Sequence, residues 1–317
     1  MKKLMSGLAV AAALGALAAV SVWGEWVYEG KWGRSGSGNG EFIWVTGVAL
    51  GPNSIVYVAD TRAHRVQYFT LTGSFLGKWG KKGFGNGEFR LPCTLDVAAN
   101  GYVYVPDRNN FRIQYFTPKG SFLGKWRCNF IRAVDVAPNG NIYAVNEEEG
   151  MIHYYTPSGS LLGEWGRRGS GNGEFTWPND VAVAANGNVY VADWGNERIQ
   201  YFTAEGSFLG KWGSFGAGPG QFNKPAGVDV VSDGTVFVVE SLGCRVQYFT
   251  PTGSFLGEFG SYGRGNGEFD FPFSLAVTPN QKRIYVCDTS NSRIQYFRWS
   301  PPAVAPASLG RVKALFK

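Results

Sequence analysis

The apolar residues of this chain fall into short runs that alternate with turn signals. The stretch from Asn179 to Gly213 contains four strand-length runs rich in Val, Ile, Tyr, Phe and Trp. They are Val181–Ala184, Val189–Ala192, Arg198–Phe202 and Ser207–Trp212. Asn-Gly, Gly-Asn and Glu-Gly dipeptides separate them, as is typical of tight turns between strands. The stretch therefore predicts one small sheet of four antiparallel strands.

This unit repeats along the chain. The second run ends in a polar residue in six copies, at Asp60, Asp107, Asn146, Asp193, Glu240 and Asp288. The third run also occurs six times, whereas the fourth run, GSFLGKWG and its variants, follows a third run only five times. The segment Trp26–Gly33 has the pattern of the missing copy. We therefore predict that this N-terminal strand completes the sheet of the last repeat and closes a ring without an open edge.

The repeated motif identifies a resemblance to a known family. The pattern P-x-D-V-A-V-x-x-N-G-N-V-Y-V-A-D-x-x-N-x-R-I-Q-Y-F-x-x-x-G-S-F resembles the NHL repeat over about residues 26–298. The resemblance implies an all-β, six-bladed β-propeller of four-stranded antiparallel blades at residues 25–299, flanked by segments 1–24 and 300–317. Function does not follow, because propellers host unrelated activities. Six-bladed relatives include lyases and lactonases, many of which hold a metal ion at the channel.

The N-terminal segment, residues 1–24, predicts export. Lys2 and Lys3 precede an uncharged stretch at residues 4–22. Such a stretch is typical of a signal peptide, cut after Ser21 or Gly24, and it is also nearly long enough for a membrane anchor. Its Ala- and Gly-rich composition is weakly hydrophobic and favours cleavage. Both interpretations place the propeller outside the cytoplasm, where it is periplasmic, secreted or membrane-anchored and facing outward.

Composition and charge support one large all-β domain and argue against a nucleic-acid partner. The 317 residues include 45 Gly, 11 Trp, 15 Tyr and 23 Phe, so the chain is rich in turn formers and aromatics. The formal net charge of +6 falls to about +1 for the propeller, because five cations lie in the flanking segments. Nucleic-acid binding would be expected to use a basic stripe. The C-terminal segment 300–317 combines prolines with an apolar, basic end, and is either disordered or docks on a partner or an anionic membrane.

Two polar motifs recur and are predicted to be structural. An acid and an arginine five residues apart occur in every copy except the third, which has Asn146 and Met151 instead. This spacing predicts a bidentate ion pair across the turn between the second and third strands. A loop G-x-G-N-G-E-F also recurs, at Gly36–Phe42, Gly83–Phe89, Gly169–Phe175 and Gly263–Phe269, with a variant at Gly216–Phe222. A strand follows each loop rather than a helix, which favours a blade-to-blade connection over a phosphate-binding loop.

Departures from the repeat indicate the binding site. Large side chains found in single copies lie in loops predicted to surround one mouth of the channel. They are Trp44, Phe111, Trp177, Trp194, Phe271 and Phe273. The third copy adds an acidic run, Glu147, Glu148 and Glu149, which is either a site for a cation or basic partner or a solvated charge run. An aromatic mouth with few charges suits a protein or peptide partner, or a glycan.

Catalytic residues are sparse. The two histidines, His64 and His153, belong to different copies, so a multi-histidine zinc site is excluded. Four first-strand acids are candidates for calcium at the channel: Asp96, Asp135, Asp180 and Asp229. We therefore expect an exported, non-catalytic binding or scaffold propeller without a cofactor, as a subunit of an envelope or membrane complex. The alternative is a calcium-dependent lyase or hydrolase acting at the channel mouth.

The four cysteines leave two interpretations open. In an oxidising compartment, disulfides Cys93–Cys128 and Cys244–Cys287 are predicted, because each pair would join adjacent blades near one rim. The alternative is four buried free thiols.

Overall fold

The computed structural model of the chain describes residues 24–280 and 282–301. The proposed signal peptide or membrane anchor falls almost wholly outside the described residues, and so does nearly all of the C-terminal tail. Among the residues that are described, no helix is long and apolar enough to cross a membrane.

The described chain is all-β, with six blades numbered here in chain order. The four strands of a blade are called first to fourth from the channel outwards. Blade 1 contains Val45–Gly51, Ile55–Asp60, Arg65–Thr70 and Phe75–Trp79. Blade 2 contains Asp96–Val97, Val103–Asp107, Arg112–Phe116 and Phe122–Arg127. Blade 3 contains Ile131–Val136, Ile142–Asn146, Met151–Tyr155 and Leu161–Arg168, with Glu174–Phe175 added in parallel.

The second half of the ring follows the same order. Blade 4 contains Pro178–Val183, Val189–Asp193, Arg198–Phe202 and Phe208–Trp212. Blade 5 contains Pro225–Val230, Val236–Glu240, Arg245–Phe249 and Phe255–Phe259. Blade 6 contains Pro272–Val277, Arg283–Asp288, Arg293–Ser300 and, as its fourth strand, Glu25–Trp32. Ser261–Tyr262 and Glu268–Phe269 form a separate two-stranded pair, and 3-10 turns lie at Pro52–Ser54, Thr61–Ala63, Arg108–Asn110 and Trp194–Asn196.

Ring closure by the N-terminal strand is confirmed. Glu25–Trp32 lies beside Arg293–Ser300 at the outer edge of blade 6. An ion pair also joins the N-terminal strand to the second strand of blade 6, with the Arg283 Nε atom 2.6 Å from a carboxylate oxygen of Glu29. The first strands of neighbouring blades contact one another around the whole ring, including blades 6 and 1. Six first strands therefore surround one central channel.

The hydrophobic core is divided into six clusters, one at each interface between adjacent blades. Successive side chains of a strand point to opposite faces of its sheet, so each blade supplies residues to two clusters. Burial of apolar surface between blades, rather than within one sheet, thus stabilises the ring.

The repeated acid and arginine hold the Gly-rich loops in place. In blade 4 the Arg198 Nε atom donates to Asp193 Oδ2 at 2.7 Å, while its Nη atoms donate to carbonyl oxygens of Ser170, Gly171 and Glu174. Equivalent contacts occur in blades 1, 2, 5 and 6. The ion pair is therefore structural as predicted, but it is not bidentate, because the other guanidinium donors bind the loop.

A glutamine of the third strand completes this clamp. Gln200 Nε2 donates to the Glu174 carbonyl at 2.8 Å, and its Oε1 accepts from the N–H of Gly173 at 3.1 Å. Gly173 has φ +73, a conformation that a residue with a Cβ adopts only at a cost. The Gly-rich loop is thus a structural connection between blades, as the strand that follows it indicates.

Neither predicted disulfide forms in the structure. All four cysteines are free and buried. Cys244 belongs to the cluster between blades 5 and 6, whereas Cys287 belongs to the cluster between blades 6 and 1. The two thiols therefore lie on opposite sides of the blade 6 sheet. Cys93 lies 3.5 Å from the Leu91 carbonyl, and Cys128 is in the cluster between blades 2 and 3. The alternative interpretation, four buried thiols, describes this structure.

Candidate functional site

A β-bulge near the start of the first strand determines which side chains reach the channel. The register with the second strand shifts between Ile131 and Ala133 in blade 3 and between Pro178 and Asp180 in blade 4, with equivalent shifts in blades 1, 5 and 6. A bulge inserts one extra residue and re-aims the side chains beside it. Arg132 and Asn179 occupy the bulged positions and line a cavity at the channel mouth.

That cavity, which we call the cup, has a volume of about 300 Å³. Eight residues line it: Trp44, Arg132, Glu147, Trp177, Asn179, Trp194, Phe271 and Phe273. Ring centroids lie 6.2 Å apart for Trp177 and Trp194, 6.3 Å for Trp44 and Phe271, and 6.1 Å for Phe271 and Phe273. Trp177 is 49% exposed, whereas Phe273 is only 5% exposed. The cup therefore has an open aromatic rim and a buried aromatic floor.

Arg132 shares the floor with Phe273. The guanidinium carbon lies 4.6 Å from the centroid of the Phe273 ring. Blades 3 and 6 face each other in a ring of six, so this contact crosses the channel axis. Arg132 Nε also donates to Asn179 Oδ1 at 3.1 Å, and Asn179 in turn donates through Nδ2 to the Ala226 carbonyl. These contacts fix the guanidinium at the base of the cup.

Two further cations cover the rim tryptophans from outside the cavity. The Arg62 guanidinium carbon lies 4.3 Å from the Trp44 ring centroid, and Lys224 Nζ lies 4.2 Å from that of Trp194. Neither cation lines the cup. The aromatic walls are thus already engaged by the protein's own positive charges.

Five of the six aromatic residues predicted for the mouth line the cup, and Phe111 does not. Its ring packs against Phe130 with centroids 5.3 Å apart. It lines a separate cavity of about 380 Å³ together with Arg112, Lys125 and other residues of blade 2. Phe111 follows the turn Arg108–Asn110 with φ +52, and this left-handed conformation directs it toward the connection between blades 2 and 3.

The acidic run of blade 3 does not form an acidic notch. Glu147 makes a close ion pair with Arg108, and its other oxygen lies 3.7 Å from Arg132 Nε. Glu149 accepts from Asn146 Nδ2 at 2.9 Å, and Glu148 lies 4.0 Å from Arg108. Only Glu147 lines the cup. The neighbouring arginines, which are distant in sequence, neutralise the charge that the run shows by itself.

The other end of the first strands opens into a second cavity of about 460 Å³, which we call the vestibule. It contains all four candidate calcium ligands, Asp96, Asp135, Asp180 and Asp229. Each carboxylate accepts a hydrogen bond from a backbone N–H in the first strand of the next blade, at Val136, Val183, Val228 and Val277 respectively. These strands form the inner edges of the blades, so the carboxylates satisfy N–H groups that have no neighbouring strand.

Burial makes the vestibule carboxyls weak acids. Desolvation raises the pKa of Asp96 to about 6, that of Asp229 to about 7 and that of Asp180 to about 8. Desolvation and the nearby charges of Asp96 and Asp229 raise the pKa of Asp135 well above its usual range. No group of three or more His, Cys, Asp or Glu within the described residues is arranged to hold a metal ion.

Both histidines lie away from the cup and the vestibule. His64 accepts at Nδ1 from the N–H of Leu91 at 3.1 Å. His153 contacts the hydroxyl of Tyr155 at 3.1 Å, and its Nε2 lies 3.8 Å from Glu164. Burial lowers the pKa of both imidazoles. Neither histidine lines the two cavities.

Comparison with known families identifies the repeat. The model of the NHL repeat matches residues 175–202 and 269–297, which span parts of blades 4 and 6. The chain therefore contains NHL repeats and folds into a six-bladed propeller. No curated protein matches it.

Several solved structures share the fold of this NHL propeller at low sequence identity. A virginiamycin B lyase from Staphylococcus aureus has 15% identity and a TM-score of 0.58, covering 80% of this chain and 94% of its own. A gluconolactonase from Xanthomonas campestris has 14% identity and a TM-score of 0.62, covering 87% and 98%. A Bacteroides thetaiotaomicron protein of unknown function has 14% identity and a TM-score of 0.65, covering 86% and 76%. At such identities the likeness shows the fold alone.

Sequence reasoning missed Arg132 and Asn179 at the base of the cup, and it missed Arg62 and Lys224 outside it. Arg132 and Asn179 occupy the same position of the repeat in their respective blades. From blade 1 to blade 6 this position holds Thr46, Cys93, Arg132, Asn179, Ala226 and Phe273. Arg132 is the one charged member of this set. A charge that occurs in one blade alone can be detected in the sequence. The direction of the Arg132 side chain, however, depends on the bulge.

Proposed function

We propose that this NHL propeller is a non-catalytic binding protein that takes a segment of another macromolecule, a protein, peptide or glycan, into the cup. The observation that carries the proposal is the convergence of single-copy aromatics. Trp44, Trp177 and Phe271 come from three different blades and meet in one cavity. A concave aromatic site with a few placed polar groups is typical of ligand pockets, and aromatic anchors dominate the energy of interfaces.

The arrangement of the polar groups favours binding over catalysis. In the cup, Asn179 and Glu147 are already engaged by Ala226, Arg132 and Arg108. A general base needs a free lone pair within hydrogen-bond reach of its substrate. These side chains instead hold one another in place and give the cup a fixed shape.

A calcium-dependent lyase or hydrolase acting in the channel is the second candidate function. The virginiamycin B lyase and the gluconolactonase share the fold, and four carboxyls line the vestibule. The raised pKa values and the engagement of each carboxylate by a backbone N–H weaken this candidate. Calcium sites use ionised, converging oxygen ligands.

We further propose that the propeller works outside the cytoplasm, as a subunit of an envelope or membrane complex. The proposal rests on the two lysines followed by an uncharged stretch at residues 4–22. Fractionation of cells expressing the full chain, with the N-terminus of the recovered protein determined by mass, tests it. Recovery of the whole pool from the cytosol with residues 1–24 intact would overturn it.

Binding at the cup is tested with two probe sets, a glycan array and a phage library of random peptides, presented to the immobilised full-length chain. We expect ligands whose binding falls at least tenfold in Trp177→Ala. Phe215→Ala is the matched control, because Phe215 is 71% exposed on a Gly-rich loop and does not line the cup. Ligands that bind both variants equally, or the absence of any ligand, would overturn the proposed function.

A further inference from the structure

We propose that the ligand of the cup is an acidic peptide segment: an apolar side chain enters between the tryptophans, and a neighbouring carboxylate binds Arg132. This inference rests on the proposed function and specifies its ligand class. Three observations support it, namely the charge around the cup, the cations on the aromatic walls and the satisfaction of the polar floor.

Cations outnumber carboxylates among the charged groups that contact the walls and floor of the cup. Arg62 and Lys224 lie against the wall tryptophans, and Arg132 lies against Phe273. Glu147 is the carboxylate that lines the cavity, and it is shared between Arg108 and Arg132. Glu148, Glu149 and Glu197 balance the charge of the wider region, so the attraction for an anion comes from the cations at the walls and floor and not from a net charge of the mouth.

The aromatic walls argue against a cationic ligand. A cage of tryptophans would ordinarily favour a quaternary ammonium or another cation, because the ring faces are electron-rich. Here Arg62 already covers Trp44, and Lys224 covers Trp194. Arg132 likewise covers Phe273 at the floor. A second cation inside the cup would be repelled by these charges through thin aromatic walls, whereas a neutral apolar group with an attached anion would not.

The polar floor distinguishes a peptide from a glycan. A sugar needs several donors and acceptors for its hydroxyl groups, but the Asn179 amide uses both its oxygen and its nitrogen within the protein. Glu147 is likewise engaged by Arg108. The Arg132 side chain is 21% exposed and lines the cavity; its Nε atom lies near Asn179 and Glu147, and its Nη1 atom has a long contact of 3.9 Å with Cys93 Sγ. Guanidinium groups bind carboxylates through charge-assisted hydrogen bonds.

The size of the cup fits one or two side chains. Its volume of about 300 Å³ lies at the lower end of ligand pockets. An apolar side chain of a peptide fills such a space, and the carboxylate of an adjacent aspartate or glutamate reaches the floor. The exposed Trp177 at the rim would cover the peptide backbone as it leaves the cup.

A double-mutant cycle on selected peptides tests the inference. Peptides are selected from a random phage-displayed library on the full-length chain, synthesised, and compared with versions in which each acidic residue is replaced by its amide. Calorimetric titration gives each dissociation constant on the wild type and on Arg132→Gln. We expect acid-to-amide replacement to weaken binding about tenfold or more on the wild type and less than about twofold on Arg132→Gln.

Matched variants keep the result interpretable. Arg264→Gln removes an exposed arginine of a Gly-rich loop away from the cup, and should leave the tenfold difference intact. Arg132→Lys retains the charge and should retain the preference for the acidic peptide. This variant keeps the inference testable if Arg132→Gln melts at a lower temperature. Equal losses on the wild type and Arg132→Gln would overturn the inference.

The remaining outcomes separate the inference from the proposed function. Selected peptides without acidic residues, or a glycan as the ligand, with binding that is lost in Trp177→Ala, would overturn the acidic peptide while the cup remains the binding site. Peptide binding that is unaffected by Trp177→Ala would overturn both.

Discussion

Blade 3 lacks the clamp residues that the other five blades share. This difference separates the residues that hold the ring together from the residues that form the candidate site. In the five blades an acid, an arginine and a glutamine hold a Gly-rich loop. In blade 3 the corresponding residues are Asn146, Met151 and His153, and the loop is absent. The clamp and its loop are therefore lost together, which explains why the repeat spacing falls from 47 or 48 residues to 39 in front of blade 3.

The blade that lacks the clamp contributes most of the charge in the cup. Arg132 and Glu147 both belong to blade 3 and line the cavity. No residue of the clamps in blades 1, 2, 4, 5 and 6 lines it. Residues that repeat thus hold the ring together, whereas residues that break the repeat form the candidate site.

Removal of a clamp arginine should have the largest effect on stability. Arg198→Ala leaves the buried carboxylate of Asp193 without its cation and frees three loop carbonyls. Loss of one member of a buried ion pair costs about 3–5 kcal/mol. We expect the free energy of unfolding, measured in urea, to fall by that amount, and Met151→Ala at the equivalent position of blade 3 to cost much less. Equal losses in the two variants would contradict the role of the clamp.

The glutamine of the clamp should have an intermediate effect. Gln200→Ala leaves the Gly173 N–H without its side-chain partner and leaves the Glu174 carbonyl with Arg198 alone. Unsatisfied buried polar groups cost about 1–3 kcal/mol. The reverse test in blade 3 is His153→Gln, which restores the repeated residue where there is no loop to hold. Thermal melting should show a clear loss for Gln200→Ala and no gain for His153→Gln. A stabilised His153→Gln would show that glutamine acts independently of the loop.

Substitution of a vestibule aspartate should have the smallest effect on stability, and it should stabilise the protein instead of destabilising it. A buried Asp with a raised pKa keeps its proton in the folded state after the unfolded state has lost it, so stability falls as pH rises from about 4 to about 8. Asp135→Asn keeps an acceptor for the Val183 N–H but removes the charge. We expect it to stabilise the protein by about 1 kcal/mol or more at pH 8.

Acidic conditions provide the control for this variant. Below about pH 3, the wild-type carboxyl is protonated in both states, so Asp135→Asn and the wild type should unfold at nearly the same urea concentration. A difference that is independent of pH would indicate a packing effect instead of a charge effect.

The ring could be predicted from the sequence because its determinants are local and repeated. Each run of apolar residues with its turn signals is a strand, and six copies in register average out the ambiguity of any single copy. The predicted bounds Arg198–Phe202 agree with the structure, and the third strands of the other blades follow the same pattern. The fourth-strand pattern at Trp26–Gly33 was sufficient to predict closure, because an unpaired edge in the last blade had one available partner.

Only the tertiary structure decided the chemistry of the two cavities. The sequence predicted Trp44, Trp177, Trp194, Phe271 and Phe273 at one mouth, but placed Phe111 with them and read Glu147, Glu148 and Glu149 as an acidic run. Glu147 pairs with Arg108, which is distant in sequence. The left-handed backbone conformation of Phe111 directs its ring against Phe130.

The same limit applies to the cysteines and to Arg132. Cys244 and Cys287 belong to adjacent blades but lie on opposite sides of the blade 6 sheet. Arg132 reaches Phe273 across the axis because a bulge turns it inward and a closed ring brings blade 3 opposite blade 6. Periodicity along one strand fixes which residues share a face. The bulge and the closure of the ring decide what that face meets, and neither is a property of any single repeat.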